Sequence, residues 1–251
     1  MQNENQRSDL EAETDGAQFH RAQFQLSDVV AGPAEAPILR GVTIDIACRG
    51  ITALAGPSGS GKSTLLRLLN RLDDPIAGSL SWDGRKLDDW DPTQLRRRVA
   101  MVFQRPAVFP GSVLDNLRVA SSDLAAVDAA QALERVGLDG NLISRDADAL
   151  SGGEAQRMCF ARALLTEPAV VLADEPTASL DRAARRTIEE LGSSIAGTGV
   201  PIIWVTHDVD QLRRLADQVI VLIDGQVAAS GTLRELDHHR DPTVRALVGA
   251  S

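Results

Sequence analysis

The sequence predicts an α/β protein built around a mainly parallel β-sheet. In the second half of the chain, short apolar runs alternate with helical patterns, and this alternation is typical of parallel sheets covered by helices on both faces. A glycine-rich stretch beginning at Gly56 also follows the apolar run Ile51–Ala55 directly and opens a leucine-rich helical pattern. With 43% hydrophobic residues among 251, the chain can bury a large core.

The N-terminal part of the chain is expected to start with a tail and continue as strands. Residues 1–18 are polar and acidic, which predicts a disordered tail before a single domain over residues 19–251. Strand-like runs follow at residues 24–29, 42–47 and 51–55, and glycines bound another at residues 78–84. We therefore expect an N-terminal antiparallel β subdomain.

The middle of the chain carries helical patterns instead. These lie at Pro92–Arg98 and at residues 64–72, 113–119 and 124–136. Because residues 105–150 lack a strong strand signal, we expect a small inserted helical subdomain over about residues 105–165. Strand-like runs return at residues 169–173, 202–206 and 219–223, and Asp224-Gly225 predicts a hairpin to residues 226–229.

Composition excludes several classes of protein. No apolar run reaches the roughly 18–20 residues that cross a bilayer, and the N-terminus lacks the pattern of a signal peptide. Cys48 and Cys159 lie in apolar patterns and are interpreted as buried thiols of a cytoplasmic protein. A net charge of −9 argues against nucleic acid as a partner, since phosphate neutralisation requires a basic face.

The glycine-rich stretch has the spacing of a phosphate-binding loop, G-x-x-x-x-G-K-S. We expect its residues to bind a nucleoside triphosphate: Gly56, Pro57, Ser58, Gly59, Ser60, Gly61, Lys62, Ser63 and Thr64. Backbone N–H groups and the helix N-terminus would surround the phosphates, Lys62 would supply a positive charge, and the Ser63 hydroxyl suits Mg²⁺. The alternative is a flexible Gly/Ser connector. The strand, loop and helix context favours a P-loop NTPase core.

Two carboxylates end the apolar strand at residues 170–174. Asp174 is placed to hold Mg²⁺, and Glu175 is placed to orient or deprotonate an attacking water. An ordinary strand end followed by an acidic turn is the alternative.

A third motif, Ser151-Gly152-Gly153-Glu154, opens a helix that extends to about Leu165. Ser151 and Glu154 have the spacing of a helix-capping box, which alone would explain them. Two glycines in a first helical turn, however, weaken a helix by about 1 kcal/mol each. They are explained if the N–H groups of this turn approach a phosphate closely.

The stretch from Leu150 to Arg157 closely resembles the signature of ATP-binding-cassette (ABC) ATPases. The resemblance covers about residues 22–236, with the phosphate loop, signature and carboxylate strand in the family's order. It implies that Gln104 ligates Mg²⁺ and senses a transmembrane partner, and that His207 holds the γ-phosphate and attacking water. It also implies that Ser179, Leu180 and Asp181 cross to a second subunit. Alone, such a histidine or glutamine would indicate little.

One feature departs from the family pattern. The family usually stacks adenine on an aromatic residue, often tyrosine, that precedes the phosphate loop, but this chain contains no tyrosine. Phe19 and Phe24 are the candidates, and Phe24 is expected to pack into the first strand. Adenine affinity is therefore expected to be weaker, and base selectivity stays open.

The resemblance implies an enzyme that hydrolyses ATP with Mg²⁺ held by Ser63, Gln104 and Asp174. Two copies, or one copy and a homologous ATPase, would enclose two ATP molecules head to tail. This dimer would drive a separate transmembrane permease at the cytoplasmic face of the membrane. One alternative is a soluble ATP-gated clamp or regulator, and another is an ATPase that signals through a membrane protein without transport.

Cargo is the least constrained expectation. Residues 94–110 resemble the phosphate-import branch, and so do residues 158–163. Residues 107–116 and 204–208 also resemble small ATPases that pair with metal-export subunits. An inorganic ion is thus the predicted substrate, and the direction of transport stays open.

Overall fold

A computed structural model describes residues 23–250 of the chain, so the predicted tail and Phe19 lie outside it. The first part forms the predicted antiparallel sheet, with strand order β2-β1-β4-β5. Its strands are β1 (Gln23–Ala31), β2 (Leu39–Ala47), β4 (Ala77–Trp82) and β5 (Arg85–Lys86). This sheet confirms the expectation of an N-terminal antiparallel β subdomain.

The second sheet has six strands in the order β10-β9-β3-β8-β7-β6. They are β3 (Ile51–Ala55), β6 (Val99–Val102), β7 (Val170–Asp174), β8 (Ile202–Val205), β9 (Gln218–Ile223) and β10 (Gln226–Gly231). All neighbouring strands are parallel except β10, which returns antiparallel to β9 through the predicted hairpin. In such a sheet the carboxyl ends of the parallel strands lie at one edge, where ligands bind.

Nine α-helices surround these sheets in the described part of the chain. They are α1 (Lys62–Leu69), α2 (Pro92–Arg98), α3 (Val113–Arg118), α4 (Ala126–Arg135), α5 (Gly152–Leu164), α6 (Arg182–Gly197), α7 (Val209–Leu215), α8 (Leu233–Leu236) and α9 (Pro242–Leu247). Within residues 23–250, none of them is long and apolar enough to cross a membrane.

Strand β7 shows why the parallel strands read as unbroken apolar runs. Val170 and Leu172 belong to the core shared with α1 and the antiparallel sheet, whereas Val171 and Ala173 belong to the core shared with α5 and α6. All four side chains are fully buried. Both faces of the parallel sheet are thus covered. This packing fixes the carboxyl end of β7, where Asp174 and Glu175 lie.

The expected helical insertion consists of α3, α4 and two short 3₁₀ turns, residues 140–144 and 147–149, before α5. Helix α5 packs against α3 and α4 and also against β6. Its buried residues Met158 and Phe160 lie in the same core as Val171 of the central sheet. The insertion therefore shares one continuous core with the parallel sheet, and its limits at about residues 105–165 stay a prediction.

Helix α1 ends three residues earlier than the predicted limit at residue 72. Arg71 adopts a left-handed backbone with φ of +55°. The N–H of Leu72 bonds the carbonyl of Arg67 at 2.8 Å, and the N–H of Arg71 bonds that of Leu68 at 3.1 Å. This pair of bonds is a Schellman motif, which usually has glycine at the left-handed position. Because the sequence has no glycine at this position, the predicted helix was too long at its C-terminal end.

Candidate functional site

The phosphate loop connects β3 to α1 and borders a cleft of about 360 Å³. Six predicted loop and helix residues line this cleft: Ser58, Gly59, Gly61, Lys62, Ser63 and Thr64. Gly56, Pro57 and Ser60 do not line the cleft, and Ser60 is buried. The N-terminal turn of α1 thus borders the cleft, and its unpaired backbone N–H groups favour an anionic ligand there.

Gly61 caps α1 with φ of +100°. A Cβ atom at this position would lie 2.5 Å from Cδ2 of Leu39 and 3.3 Å from Cγ2 of Ile38. Residues with a side chain rarely adopt this backbone angle, and the space that a Cβ would need is already filled by the start of β2. A larger residue would therefore displace the loop from the antiparallel sheet and deform the cleft.

Lys62 is buried and bonded to its own loop. Its Nζ donates to the carbonyl oxygens of Gly56 and Pro57, each at 2.9 Å. Burial lowers the pKa of Lys62, while the nearby carboxylates of Glu175 and Asp174 act to raise it. An ammonium group has three donors, so two of them fix the loop and one is left for a ligand in the cleft.

Ser63 and Asp174 bring two oxygen donors together at the cleft. Ser63 Oγ donates to Asp174 Oδ1 at 2.8 Å. Burial raises the pKa of Asp174; the Ser63 hydrogen bond opposes this, and the charge of Glu175 adds to it. A carboxylate that is costly to ionise suits a bound cation, because the cation's charge offsets the desolvation.

The oxygen ligands at this cleft suit Mg²⁺, whereas a metal that takes all its ligands from the protein would require more side chains. Residues 23–250 contain no group of three or more His, Cys, Asp and Glu side chains suited to a metal ion. Mg²⁺ usually binds one or two protein ligands and takes its remaining oxygens from substrate phosphates and water. The Ser63 hydroxyl and Asp174 carboxylate match that requirement.

Glu175 and His207 form a second close pair at the cleft. Glu175 lines the cleft, and its Oε2 lies 3.0 Å from Nδ1 of His207, which follows β8. Glu175 has φ of +42°, a left-handed conformation that costs a non-glycine residue of order 1–3 kcal/mol. His207 leaves 63% of its side chain exposed. A carboxylate held at the cleft beside an exposed imidazole can accept a proton from a water that attacks a phosphate.

Gln104 lines the same cleft and lies in the loop that follows β6. The residue that anchors this loop, Gln156, was not predicted from the sequence. Gln156 on α5 is 1% exposed, and its Nε2 donates to the carbonyl oxygen of Phe103 at 3.0 Å. A glutamine on the buried face of an apolar helix was the available signal. The bond links the signature helix directly to the Gln104 loop.

The signature residues lie outside this cleft. Ser151 and Glu154 form the capping box in full, because Glu154 Oε2 accepts from the Ser151 N–H at 2.8 Å and Ser151 Oγ accepts from the Glu154 N–H. Gly153 has a packing reason as well, since a Cβ there would lie 3.1 Å from Cβ of Ala184. Within residues 23–250, the cleft lining includes no residue of 151–154.

The loop at residues 179–181 lies beside the signature. A Cβ on Gly152 would contact Cδ2 of Leu180 at 3.5 Å, so the loop and the first turn of α5 are neighbours. Asp181 caps α6 by accepting from the N–H groups of Ala183 and Ala184 at 2.8 and 2.9 Å. Ser179 is exposed. These residues and the signature form one surface, separate from the cleft of the same chain.

The two candidates for stacking on a base have different outcomes. Phe24 is fully buried and stacks on Trp82 with ring centroids 6.0 Å apart, which confirms the expectation that it packs into the first strand. Phe19 lies outside the described residues. Ile38, which no sequence motif singles out, lines the cleft and is 38% exposed. Among the described residues, the cleft lining has no aromatic side chain.

Comparison with known proteins agrees with this geometry. A family model described as ABC transporter matches residues 39–178. Protein STAR1 of Oryza sativa subsp. japonica is 40% identical over 219 residues, covering 85% of this chain and 63% of the relative. The phosphate import ATP-binding protein PstB of Mycobacterium intracellulare is 37% identical over 238 residues, covering 88% of this chain and 82% of the relative. The resemblance to phosphate-import ATPases is confirmed; that to metal-export ATPases stays a prediction.

Solved structures give the same assignment. The dimeric, post-hydrolysis form of the ATP-binding cassette MJ0796 bound to ADP and Pi superposes with a TM-score of 0.74 at 30% identity. The alignment covers 84% of this chain and 99% of that structure. The phosphate loop, the Asp174 and Glu175 strand end and the signature helix occur here on the fold of that cassette. The chain belongs to the ABC transporter family, as one of its ATP-hydrolysing nucleotide-binding domains.

Proposed function

We propose that the chain is the ATPase subunit of a membrane transporter for an inorganic ion. The observation that carries its ATPase part is the cleft lined by the phosphate loop and Glu175, where Ser63 contacts Asp174 and Glu175 contacts His207. These are the parts that phosphoryl transfer to water requires: a phosphate cradle, a cation site and a positioned base.

The residues of the cleft divide the work. Lys62 and the N-terminal turn of α1 bind the phosphates of ATP. Ser63, Gln104 and Asp174 would hold Mg²⁺, which when bound neutralises charge on the β- and γ-phosphates. Glu175 accepts the proton of the attacking water, and His207 orients that water and the γ-phosphate beside it.

A second copy of the chain, or a homologous ATPase, completes each nucleotide site. The signature, residues 151–154, lies apart from the cleft of its own chain, together with the loop at residues 179–181. In a head-to-tail dimer this surface of one subunit covers the ATP held by the other. The N–H groups of the signature turn then bind the γ-phosphate only in the closed dimer, and hydrolysis removes that link.

A groove of about 390 Å³ between α2, β6 and α5 supports a membrane partner. Its lining combines apolar side chains, Met101 and Val119, with the basic side chains of Arg96 and Arg162. Val119 is 61% exposed, so this apolar side chain is accessible to a partner. A short cytoplasmic segment of a separate permease fits this groove, and β6 leads from it to Gln104. The chain would then act at the cytoplasmic face of the membrane.

The cargo is proposed from the named relative. PstB is called a phosphate import protein and is 37% identical to this chain. Because the ATPase does not contact the cargo, this sequence similarity reflects common ancestry and a similar surface for docking on the permease. Phosphate is the first ion to test, and a divalent metal ion is the second.

The test starts from the tagged chain, purified from gently solubilised native membranes. A stoichiometric multi-spanning protein is expected to purify with it. That complex, reconstituted in vesicles, should move radiolabelled phosphate or a metal ion when ATP is added, and the same complex carrying Glu175→Gln should not. An active ATPase recovered alone, or with cytosolic proteins, would contradict the transporter assignment and favour a soluble clamp.

A further inference from the structure

A polar cluster next to the segments of Glu175 and His207 has no part in the mechanism above. It consists of the buried residues Thr177, Glu189, Trp204 and Gln211 and the half-exposed Arg214, and is called here the Gln211 cluster. Gln211 is 1% exposed and Glu189 5% exposed, so each polar atom there must find a partner inside the protein.

The side-chain amide of Gln211 satisfies three neighbours at once. Its Oε1 accepts from Nε1 of Trp204 at 3.0 Å. Its Nε2 donates to Oγ1 of Thr177 and to Oε1 of Glu189, both at 2.9 Å. Arg214 holds the same Glu189 carboxylate through two further bonds of 2.9 Å. One amide therefore joins β8, α6, α7 and the loop after β7.

These contacts reach the chain segments that carry Glu175 and His207. Thr177 lies two residues after Glu175, in a turn where the Ala178 N–H bonds the Glu175 carbonyl at 3.1 Å. His207 lies between Trp204 and Gln211 in the chain, and Asp208 Oδ1 accepts from the Gln211 N–H at 3.0 Å. The segment that carries the carboxylate is thus bonded to the Gln211 side chain through Thr177. The segment that carries the imidazole is bonded to that side chain through Trp204 and to the Gln211 backbone through Asp208.

We propose that Gln211 is a positioning residue that sets the separation of Glu175 and His207. The left-handed backbone of Glu175 persists only while its surroundings hold it, and Thr177, two residues further on, is bonded to Gln211. An amide is required at position 211 because Thr177 and Glu189 both receive hydrogen bonds from its NH₂ group. This inference rests on the proposed ATPase function of the cleft.

The decisive variant is Gln211→Glu, which keeps the size of the side chain but replaces the NH₂ group with oxygen. The new carboxylate would face Glu189 inside the protein. We expect kcat for ATP to fall about 10- to 100-fold, since small misplacements at a reacting centre have effects of this order. The KM for ATP should stay within about twofold, because the phosphate loop keeps its contacts.

The pH profile separates positioning from a general loss of structure. Burial and the neighbouring carboxylate raise the pKa of the introduced carboxyl. The charged and titratable groups around it are Glu189, Arg185, Arg214, Asp208, Asp210 and His207. Once protonated, the introduced group regains a donor. The ratio of variant to wild-type kcat should therefore rise as pH falls from about 8 to about 6.

Gln131→Glu on the exposed face of α4 makes the same chemical change away from the site and should match wild type throughout. The difference in melting temperature between Gln211→Leu and the wild-type protein measures how much the cluster contributes to stability. Wild-type kcat in Gln211→Glu would overturn the inference. So would a proportional fall in kcat and ATP affinity without pH dependence, which indicates a merely structural role. If wild type itself hydrolysed no ATP, the proposed function would fail instead.

Discussion

Ser63 Oγ and Asp174 Oδ1 lie 2.8 Å apart, although 111 positions separate these residues in the chain. The fold achieves this contact by placing the first turn of α1 beside the carboxyl end of β7. Both groups are hard oxygen donors, and burial makes the Asp174 charge costly. This relationship leads to a prediction in which stability and activity change in opposite directions.

Asp174→Asn should raise the melting temperature of the nucleotide-free protein at neutral pH and abolish Mg²⁺-dependent ATP hydrolysis. The asparagine oxygen can still accept from Ser63, while the buried charge is removed. Calorimetry and a phosphate-release assay check the two effects. Ser63→Ala, which leaves the charge in place and removes its hydrogen bond, is the matched control and should lower both stability and activity.

The same residue predicts a pH dependence of stability. The pKa of Asp174 is raised in the folded protein, so the folded state retains a proton that the unfolded chain has released. The resulting stabilisation is complete below the ordinary aspartate pKa and is lost as pH rises towards the folded-state value. The stability gained by Asp174→Asn should therefore be larger at about pH 7 than at about pH 4. Equal gains at both values would contradict the raised pKa.

Lys62→Ala should abolish tight ATP binding, with at least about a tenfold loss of affinity, because a charge-assisted contact to phosphate is removed. Lys62→Arg should not restore it, since a planar guanidinium cannot reproduce the two bonds to Gly56 and Pro57 at this buried position. Isothermal titration with ATP measures both variants. Wild-type affinity in Lys62→Ala would refute the phosphate-loop assignment.

Glu175→Gln should bind ATP normally, hydrolyse it about 10²- to 10⁴-fold more slowly and accumulate as a dimer. Loss of the base blocks proton transfer, and the uncleaved γ-phosphate then keeps the two subunits joined. Sizing chromatography with and without ATP reports the dimer. Normal turnover in this variant would show that another group serves as base.

Ile38→Tyr should tighten ATP binding by about 1 kcal/mol, or about fivefold, by providing the stacking surface that the described cleft lacks. The wild-type chain should discriminate weakly between ATP and GTP, because an aliphatic surface offers no hydrogen bond to a base edge. Competition binding with both nucleotides tests this. Ile38→Val is the control, and unchanged affinity in Ile38→Tyr would place the base elsewhere.

Much of the fold could be predicted from local patterns. The bounds of α2 match the prediction, because Asp91 caps the helix by accepting from the Gln94 N–H at 2.9 Å and Pro92 follows it. Strands β3 and β7 were equally clear, since an apolar run ends at a glycine or a carboxylate in each. The predicted end of α1 was wrong because Arg71 occupies the left-handed position at which a glycine usually marks the end of a helix.

The contacts that connect the site could not be predicted in this way. Gln156 reaches Phe103 over 53 positions, and Gln211 reaches Thr177 over 34. Each is a glutamine within a helical pattern, and the helical period alone cannot tell which partner a buried amide meets. The candidate reacting groups could be predicted because they belong to motifs with local spacing, whereas the side chains that hold them depend on packing between distant segments.

The bonds from Lys62 to the carbonyls of Gly56 and Pro57 have a consequence for the speed of nucleotide capture. Both bonds join groups of the loop itself, so the protein's own contacts hold the loop conformation and ATP would not have to order it. Binding therefore loses little conformational entropy, and the association rate is set by diffusion and charge attraction. If two copies close on ATP as proposed, the slow, regulated event of the cycle would then be the meeting of the two subunits, where a partner could control it.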